Sequence, residues 1–455
     1  MRLTFNRNVI LFSYCVMTMI AMFVFLSSTQ SFVLNLQLNI VDNVGNLVGI
    51  LAFYDELVSI VMVFFWGVMA DLTNIRLVFC IGFLFMSLGL FLYTIPTTFP
   101  FLVLARLVFA IGGAACSSML TAFVASYSNP NNRGFYAALS GISSGVGAII
   151  GALFLLRLPT MFNTSLLSGT HYTYYIAAIA SLVAAVVSLF FPRVPFRYNL
   201  ANFKESIAVS LKSLKCPMLM IAYLSSFASR SNTVIVSTFL PLWVNVFFVQ
   251  NDLCVDRSSH HTDTDLNNND FKNTCANAFI LASTLSGITQ SIGLISAGFF
   301  GFLIDFIRKR YTNIPRHILL TPLLCASIIS CISYTLISLV QDPRSSTVYA
   351  VLPFLGIGEL GVVVSSISLL SDLTRENFEG TYAGVYSFFG GLGILFVSRF
   401  GGYLFDIISN GAFITAAALH LILIICIIIV LMLPKPQPRH HGEEEDQQGL
   451  SPKED

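Results

Sequence analysis

Two segments of this chain share one pattern: GVMADLTNIR at residues 67–76 and GFLIDFIRKR at residues 301–310. In each copy a glycine is followed four positions later by an aspartate, and a basic residue ends the segment. A second pair of similar segments, RGFYA at 133–137 and EGTYA at 379–383, follows the first in each half of the chain. Internal symmetry of this kind predicts that the two halves share one architecture.

The composition of the chain is that of a membrane protein. Of its 455 residues, 55% are hydrophobic and 10% are charged, whereas soluble domains carry about 25% charged residues. This excludes a soluble enzyme, a disordered protein and a nucleic-acid-binding protein. The sequence contains no nucleophile–base motif, phosphate-binding loop or zinc-ligand spacing, so we expect neither an enzyme nor a cofactor.

Apolar stretches long enough to cross a bilayer as helices, which takes about 20 residues each, occur six times in each half. Backbone polar groups in hydrocarbon need internal hydrogen bonds, and no strand-like alternation is present. The predicted fold is an all-α integral membrane protein with 12 transmembrane helices in two pseudo-symmetric six-helix bundles. The predicted spans are 9–33, 46–70, 76–95, 99–126, 134–157, 172–192, 217–248, 277–304, 316–340, 347–371, 382–406 and 412–433.

These spans divide the chain into an N-terminal bundle at 1–192, a cytoplasmic linker at 193–216, a C-terminal bundle at 217–433 and an acidic tail at 434–455. The middle of the linker, 200–214, is predicted either as an amphipathic helix on the membrane surface or as a polar connection. The tail is predicted to be disordered.

Lysine and arginine residues outside the spans are concentrated on one side of the predicted membrane. The opposite side holds only Arg157, Arg257, Lys272 and Arg344. By the positive-inside rule, both termini and the linker are predicted to be cytosolic. A plasma membrane and a vacuolar or lysosomal membrane both agree with this orientation.

The repeated motifs resemble those of the major facilitator superfamily, and the resemblance covers residues 9–433. The residues that match the family's loop motif are Gly67, Asp71, Arg76, Gly301, Asp305, Lys309 and Arg310. The resemblance implies that Gly67 allows close helix approach and that Asp71 holds a charge–dipole latch closing the cytosolic side. A tight turn with a helix-capping aspartate is the alternative.

Span 5 contains GISSGVGAIIG at residues 141–151, which is similar to the glycine-rich antiporter motif of the same superfamily but lacks its proline. We interpret the segment as a surface for close helix packing through small residues. The packing candidates are Gly141, Gly145, Gly147 and Gly151.

Charged residues inside the spans are the candidates for a central site. Each costs about 2.5–3.5 kcal/mol at mid-membrane, so each must be paired or line a wet cavity. The resemblance implies that spans 1, 4, 7 and 10 surround such a cavity. The candidate residues for substrate and protons are Asp55, Glu56, Arg106, Arg230, Glu359 and Arg399. The alternative is that these charges form salt bridges that only fix helix packing.

Depth along the helices suggests which charges meet. Arg230 and Glu359 lie at similar depths, which predicts a pair in which the arginine anchors an anion and the carboxylate takes a proton. Asp55 and Glu56 are about 100° apart on a helix, so only one of them is expected to face the cavity. His420 in span 12 is expected to be a packing residue.

The long loop between spans 7 and 8 carries Cys254 and Cys275, which are predicted to form a disulfide on the oxidising side of the membrane. Its acidic residues depart from the calcium-loop pattern, and a solvated loop is favoured over a metal site at His260 and His261. We therefore predict no metal. Asn163 begins a glycosylation acceptor sequence on the same side.

Together these features predict a secondary transporter of a small solute that works by alternating access, as a monomer in the lipid bilayer. Protons are the candidate coupling ion, and an anionic or carboxylate-bearing molecule is the candidate substrate. Two alternatives stay open: a facilitative uniporter of the same fold, and a transporter-like receptor or scaffold that binds a ligand without moving it.

Overall fold

The computed structural model describes residues 7–127, 133–191, 203–254, 275–310, 316–374 and 379–433. All regular structure in these ranges is helical, and twelve helices are long and apolar enough to cross a membrane. The predicted fold class is confirmed. Spans 1–12 are Arg7–Leu36, Val44–Leu72, Ile75–Leu92, Phe99–Tyr127, Leu139–Met161, Leu166–Ser188, Pro217–Gln250, Ala276–Arg310, Arg316–Ser338, Ser346–Leu373, Thr381–Ile407 and Gly411–Met432.

The two ends of the molecule are named by what they carry. The terminal side holds the start of span 1, the end of span 12 and a short helix, Phe203–Ser213, between the bundles. The linker is thus helical at these residues, and its placement on the membrane surface stays a prediction. The loop side is the opposite end. The remainder of the linker, the tail, and His260 and His261 lie outside the described residues.

Small residues bring the helices of each bundle together. In the N-terminal bundle a side chain at Gly147 or Gly151 of span 5 would overlap the backbone of span 1 at Met17 or Ala21. Such contacts are the main route to tight packing in lipid, because lipid tails are as apolar as the helices themselves.

Two seams join the bundles: span 2 packs on span 11, and span 5 packs on span 8. At the loop-side end of the first seam, a Cβ at Gly49 would overlap the carbonyl of Ser398, and a Cβ at Gly45 would lie 2.9 Å from the carbonyl oxygen of Gly402. Spans 1 and 8 also meet at this level, where the rings of Phe32 and Phe279 stack with centroids 3.8 Å apart. The loop side is therefore closed.

The same seams are open at the terminal side. Along span 2 the face that carries Gly45 and Gly49 continues to Gly67, where a Cβ would meet no atom of the described residues within 4 Å. Gly384 on span 11 and Gly301 on span 8 are equally open. Within the described ranges the two bundles thus part toward the terminal side, and we call this arrangement the terminal-side-open conformation.

A proline supplies one of the contacts that close the loop side. Pro241 in span 7 has no N–H to donate to the carbonyl of Ser237, four residues earlier. That carbonyl instead accepts a hydrogen bond from the Ser28 hydroxyl of span 1, at 2.8 Å. Span 7 makes a π-helical turn at Ile235–Phe239, next to this contact.

Span 6 begins earlier than its hydropathy predicts, at Leu166 rather than residue 172. The polar residues that lower the local hydropathy lie inside the helix. Thr170 is buried and donates to the Leu166 carbonyl at 2.8 Å, while the Ser165 side chain caps the helix start. Asn163, the glycosylation candidate, is exposed in the preceding loop.

Candidate functional site

A carboxylate and an arginine from opposite bundles lie near each other between the bundles, without a direct ion pair in the described part of the chain. Glu56 of span 2 and Arg230 of span 7 both lie against span 11, where two consecutive glycines make room for them. A Cβ at Gly390 would lie 2.7 Å from Arg230 Cγ, and one at Gly391 would lie 2.8 Å from Glu56 Oε1. Arg230 is the main positive charge acting on Glu56. The Arg230 side chain is exposed although it lies within a span.

Asp55, the neighbour of Glu56, points into the N-terminal bundle instead. It forms an ion pair with Arg106 of span 4, whose Nε donates to Asp55 Oδ2 at 2.5 Å. Arg106 is only 1% exposed. The two adjacent carboxylates of span 2 are thus divided between a buried pair and the space between the bundles. Asp55 and Arg106 thus form a buried ion pair inside the N-terminal bundle.

Glu359 does not meet Arg230, so the predicted pairing of these two residues is wrong. Glu359 is 2% exposed and lies inside the C-terminal bundle, in the neighbourhood of Tyr334 of span 9. Its neighbour Gly358 packs directly on Ser330 of the same span. Depth along a helix fixes how far a residue lies from the membrane surface but leaves its direction around the helix open.

The interiors of the two bundles are built alike. In the N-terminal bundle, the hydroxyl groups of Tyr174 and Thr29 lie 2.6 Å apart, and the Tyr174 ring packs on Tyr93 with centroids 5.3 Å apart. Arg106 of span 4 lies beside these rings.

The C-terminal bundle repeats this arrangement with other residues. His420 of span 12 hydrogen-bonds Asn232 of span 7 at 2.8 Å, and its ring stacks on Tyr334 with centroids 5.9 Å apart. His420 is thus a packed and hydrogen-bonded core residue. Glu359 takes the place beside the rings that Arg106 has in the other half. The part of the chain that the structure describes contains no ion pair to Glu359.

Arg399 also lies outside the predicted cavity. It is exposed on the outer face of span 11, in a π-helical turn at Val397–Gly401. Its Nη1 donates to the side-chain oxygen of Asn46 in span 2 at 2.7 Å. The prediction that Arg399 lines the cavity is wrong, because a small-residue face of the same helix, with Ser398 and Gly402, occupies the seam.

Sequence reasoning missed Asp406, at the loop-side end of span 11. Its carboxylate accepts hydrogen bonds from the backbone N–H groups of Gly45 and Asn46, both at 2.8 Å. These donors belong to the first turn of span 2, which has no helical acceptor for them. Asp406 thus connects the two bundles on the closed side.

The motif residues lie on the terminal side. Gly67 and Gly301 do not make the close approach that the motif implies, since the seams are open there. Arg76 Nε donates to the Asn74 side chain at 3.2 Å, and Asp305 and Arg310 are exposed. The side chains of Asp71 and Lys309 lie outside the described part of the chain.

The glycines of span 5 divide between the bundles. Gly147 and Gly151 face span 1, Gly145 packs on Leu294 of span 8, and Gly141 is open. On the loop side, the structure joins Cys254 and Cys275 by a disulfide.

Comparison with known proteins identifies the family. The model of the Major Facilitator Superfamily matches residues 10–397 and, in a second match, 276–454. The chain belongs to the Major Facilitator Superfamily. The resemblance found from the two loop motifs is confirmed.

Solved structures of other transporters share the fold of this superfamily member. The nucleoside transporter NupG is 14% identical with a TM-score of 0.68, covering 94% of this chain and 100% of its own. A D-xylose-proton symporter is 14% identical with a TM-score of 0.68, covering 92% of this chain and 96% of its own. At such identities the likeness concerns the fold alone.

A similar protein by sequence is the magnetosome protein MamH of Paramagnetospirillum magneticum, 22% identical over 311 residues. The match covers 68% of this chain and spans 63% of the length of MamH.

Proposed function

We propose that this transporter moves a small carboxylate-bearing or otherwise anionic solute together with a proton, by alternating access. The observation that carries the proposal is the position of Arg230 and Glu56: they come from opposite bundles, lie against consecutive glycines of span 11, and are close enough for Arg230 to attract the Glu56 carboxylate. Arg230 is exposed there and is charged at every physiological pH. We therefore assign the binding of the anion to Arg230.

The coupling follows from the shared charge. While Arg230 balances Glu56, the carboxylate stays ionised. When a substrate anion engages Arg230, Glu56 loses its main countercharge in a medium of low dielectric, where an unpaired carboxylate is unfavourable. Glu56 then takes up a proton, so the substrate and the proton occupy the site together. Release of the substrate restores the original pair and expels the proton.

Glu56 and Arg230 also connect binding to the movement of the bundles. Each residue is fixed to a different bundle, so their mutual distance changes when the bundles rock. A ligand that neutralises the pair removes an attraction between the bundles that would otherwise resist this movement.

The test uses the purified full chain in vesicles that contain a pH-sensitive dye. The vesicles are challenged with carboxylates such as lactate, citrate and glutamate, and with a neutral nucleoside and a neutral pentose. We expect at least one carboxylate to acidify the lumen and the neutral solutes to leave it unchanged. Flux of a carboxylate without acidification would indicate a uniporter, and saturable binding without flux would indicate a receptor. Acidification by neutral solutes alone would contradict the anionic substrate.

A further inference from the structure

A groove on the outer surface of the molecule follows the seam between spans 2 and 11. It has a volume of about 460 Å³ and lies toward the loop side. Its walls are mainly aromatic and contain one charge. The lining residues are Phe53, Leu395, Phe396, Arg399, Phe400 and Tyr403.

The groove faces the membrane rather than the cavity. Other faces of span 11 are occupied, since Gly391 and Gly402 lie against span 2 and Gly393 lies against span 7. Two of the lining rings are largely uncovered: Phe400 is 46% exposed and Tyr403 is 59% exposed. The Phe396 ring lies at the edge toward span 7, where it packs on Phe227 with centroids 5.9 Å apart. Apolar side chains exposed on a transmembrane helix are covered by lipid.

Arg399 gives this membrane-facing groove a net positive charge. Its guanidinium hydrogen-bonds the neutral side chain of Asn46, and no ion pair to it occurs among the described residues. Asp406, about two turns further along the helix, is already engaged by the backbone of Gly45 and Asn46. A lone arginine in contact with lipid is unfavourable unless it reaches an anion or the headgroup region.

The depth of Arg399 suits a headgroup. It lies about 12 Å below the loop-side end of span 11, and an arginine side chain extends toward the interface while its stem stays in apolar surroundings. The groove therefore offers a cation at the level of the lower headgroup region, with Phe396 and Phe53 beneath it and Phe400 beside it.

We propose that this groove binds an anionic phospholipid of the loop-side leaflet. Arg399 donates to the headgroup phosphate, and the acyl chains lie against Phe396, Phe400 and Phe53. A zwitterionic lipid brings its own cation and leaves the charge of Arg399 uncompensated. A soluble phosphate would make no use of the aromatic walls, which open directly to the membrane.

The site spans both bundles, because Phe53 belongs to span 2 and the other lining residues to span 11. Arg399 also contacts Asn46, beside the Asp406 connection. A bound anionic lipid therefore stabilises the conformation in which the loop side is closed.

The test measures lipid retention by native mass spectrometry of the full chain, relipidated with phosphatidylglycerol or phosphatidylcholine. We expect the wild type to retain phosphatidylglycerol several-fold better, Arg399→Gln to lose this preference, and Arg399→Lys to keep part of it. The matched control is Arg344→Gln, which removes a loop-side arginine already bonded to Asp342 at 2.9 Å. We expect the control to behave like the wild type.

Two further measurements separate the possible outcomes. If Arg399→Gln does not fold, Phe400→Ala keeps the charge and removes a wall, and we expect it to weaken retention of phosphatidylglycerol. Glycerophosphoglycerol, the soluble headgroup, should not displace the lipid at equal concentration. Equal retention of both lipids by the wild type, unchanged preference in Arg399→Gln, or displacement by the soluble headgroup would each overturn the proposal.

Discussion

Asp406 of span 11 caps the helix start of span 2 at Gly45, whose backbone N–H lies 2.8 Å from the carboxylate. The N–H of Asn46 donates to the same group. A carboxylate at a helix N-terminus both satisfies free backbone donors and interacts favourably with the helix dipole. Because the two helices belong to different bundles, this contact must break before the loop side can open.

Replacing the cap should shift the conformational equilibrium. Asp406→Asn keeps a hydrogen-bond acceptor but loses the negative charge. Capping contacts of this kind stabilise the structure that contains them by about 0.5–2 kcal/mol. We expect the loop-side-open population to rise about two- to thirtyfold. The measurement is the rate at which an impermeant thiol reagent modifies Ser31→Cys, a position buried on the closed side, with Asp342→Asn as the control. An unchanged rate would show that the cap does not hold the loop side closed.

Two glycines of span 2 should have opposite effects when replaced by alanine. Gly49→Ala introduces a methyl group into the closed loop-side seam, against Ser398, and should favour the loop-side-open state. Gly67→Ala meets no described atom in the present conformation, so thermal stability should be nearly unchanged. If the terminal side closes through Gly67, as the motif implies, that variant should slow transport. Distance distributions between spin labels on the two bundles report both shifts, and shifts in the same direction would argue against the two-seam account.

The buried ion pair should respond as a structural element. Removing one partner by Asp55→Asn or Arg106→Gln leaves an uncompensated buried charge or polar group, at a cost of about 3–5 kcal/mol. We expect loss of abundance and a lower unfolding temperature, with recovery in the double variant Asp55→Leu, Arg106→Leu. Glu56→Gln, which changes the neighbouring carboxylate, serves as the control and should remain stable. Transport lost in a fully stable Asp55→Asn protein would instead indicate a direct role in the site.

The disulfide between Cys254 and Cys275 should mark the loop side as the oxidising face. Cys254→Ser should lower stability by roughly 3 kcal/mol under non-reducing conditions, whereas Cys331→Ser should have little effect. The difference in stability between the wild type and Cys254→Ser should vanish when the disulfide of the wild type is reduced. Peptide mapping without reduction identifies the linkage directly.

The predicted orientation can be tested at the C-terminal tail. An impermeant thiol label should not reach a cysteine introduced at Ser451 in intact cells, and labelling there would contradict the predicted topology.

The fold was predictable because its signal is long and redundant: twelve apolar stretches and two copies of a loop motif at corresponding places. The sequence also predicted that each charged residue inside a span needs a partner or water, since a charge is unfavourable in lipid unless it is compensated. The sequence did not predict which residues would be the partners. Arg230 and Glu359 agree in depth but point to different neighbours. Gly390 and Gly391 leave room for Arg230 and Glu56, and the sequence alone does not reveal this because it does not show that span 11 lies beside both helices.

Asp406 illustrates a second limit of the sequence. In the sequence, Asp406 looks like an ordinary polar residue at the end of an apolar stretch. Its role becomes clear only from its hydrogen bond to the start of a helix in the other half of the chain. Contacts between distant backbone groups leave no mark on hydropathy or spacing.

The central claim is that Glu56 couples proton movement to a solute held by Arg230, and one measurement tests it most directly. In vesicles, Glu56→Gln is compared with the wild type for exchange of the carboxylate that gives the largest acidification, and for its accumulation under a pH gradient. We predict that exchange is retained and that pH-driven accumulation is lost, while Arg230→Gln loses both. Normal pH-driven accumulation by Glu56→Gln would contradict the account.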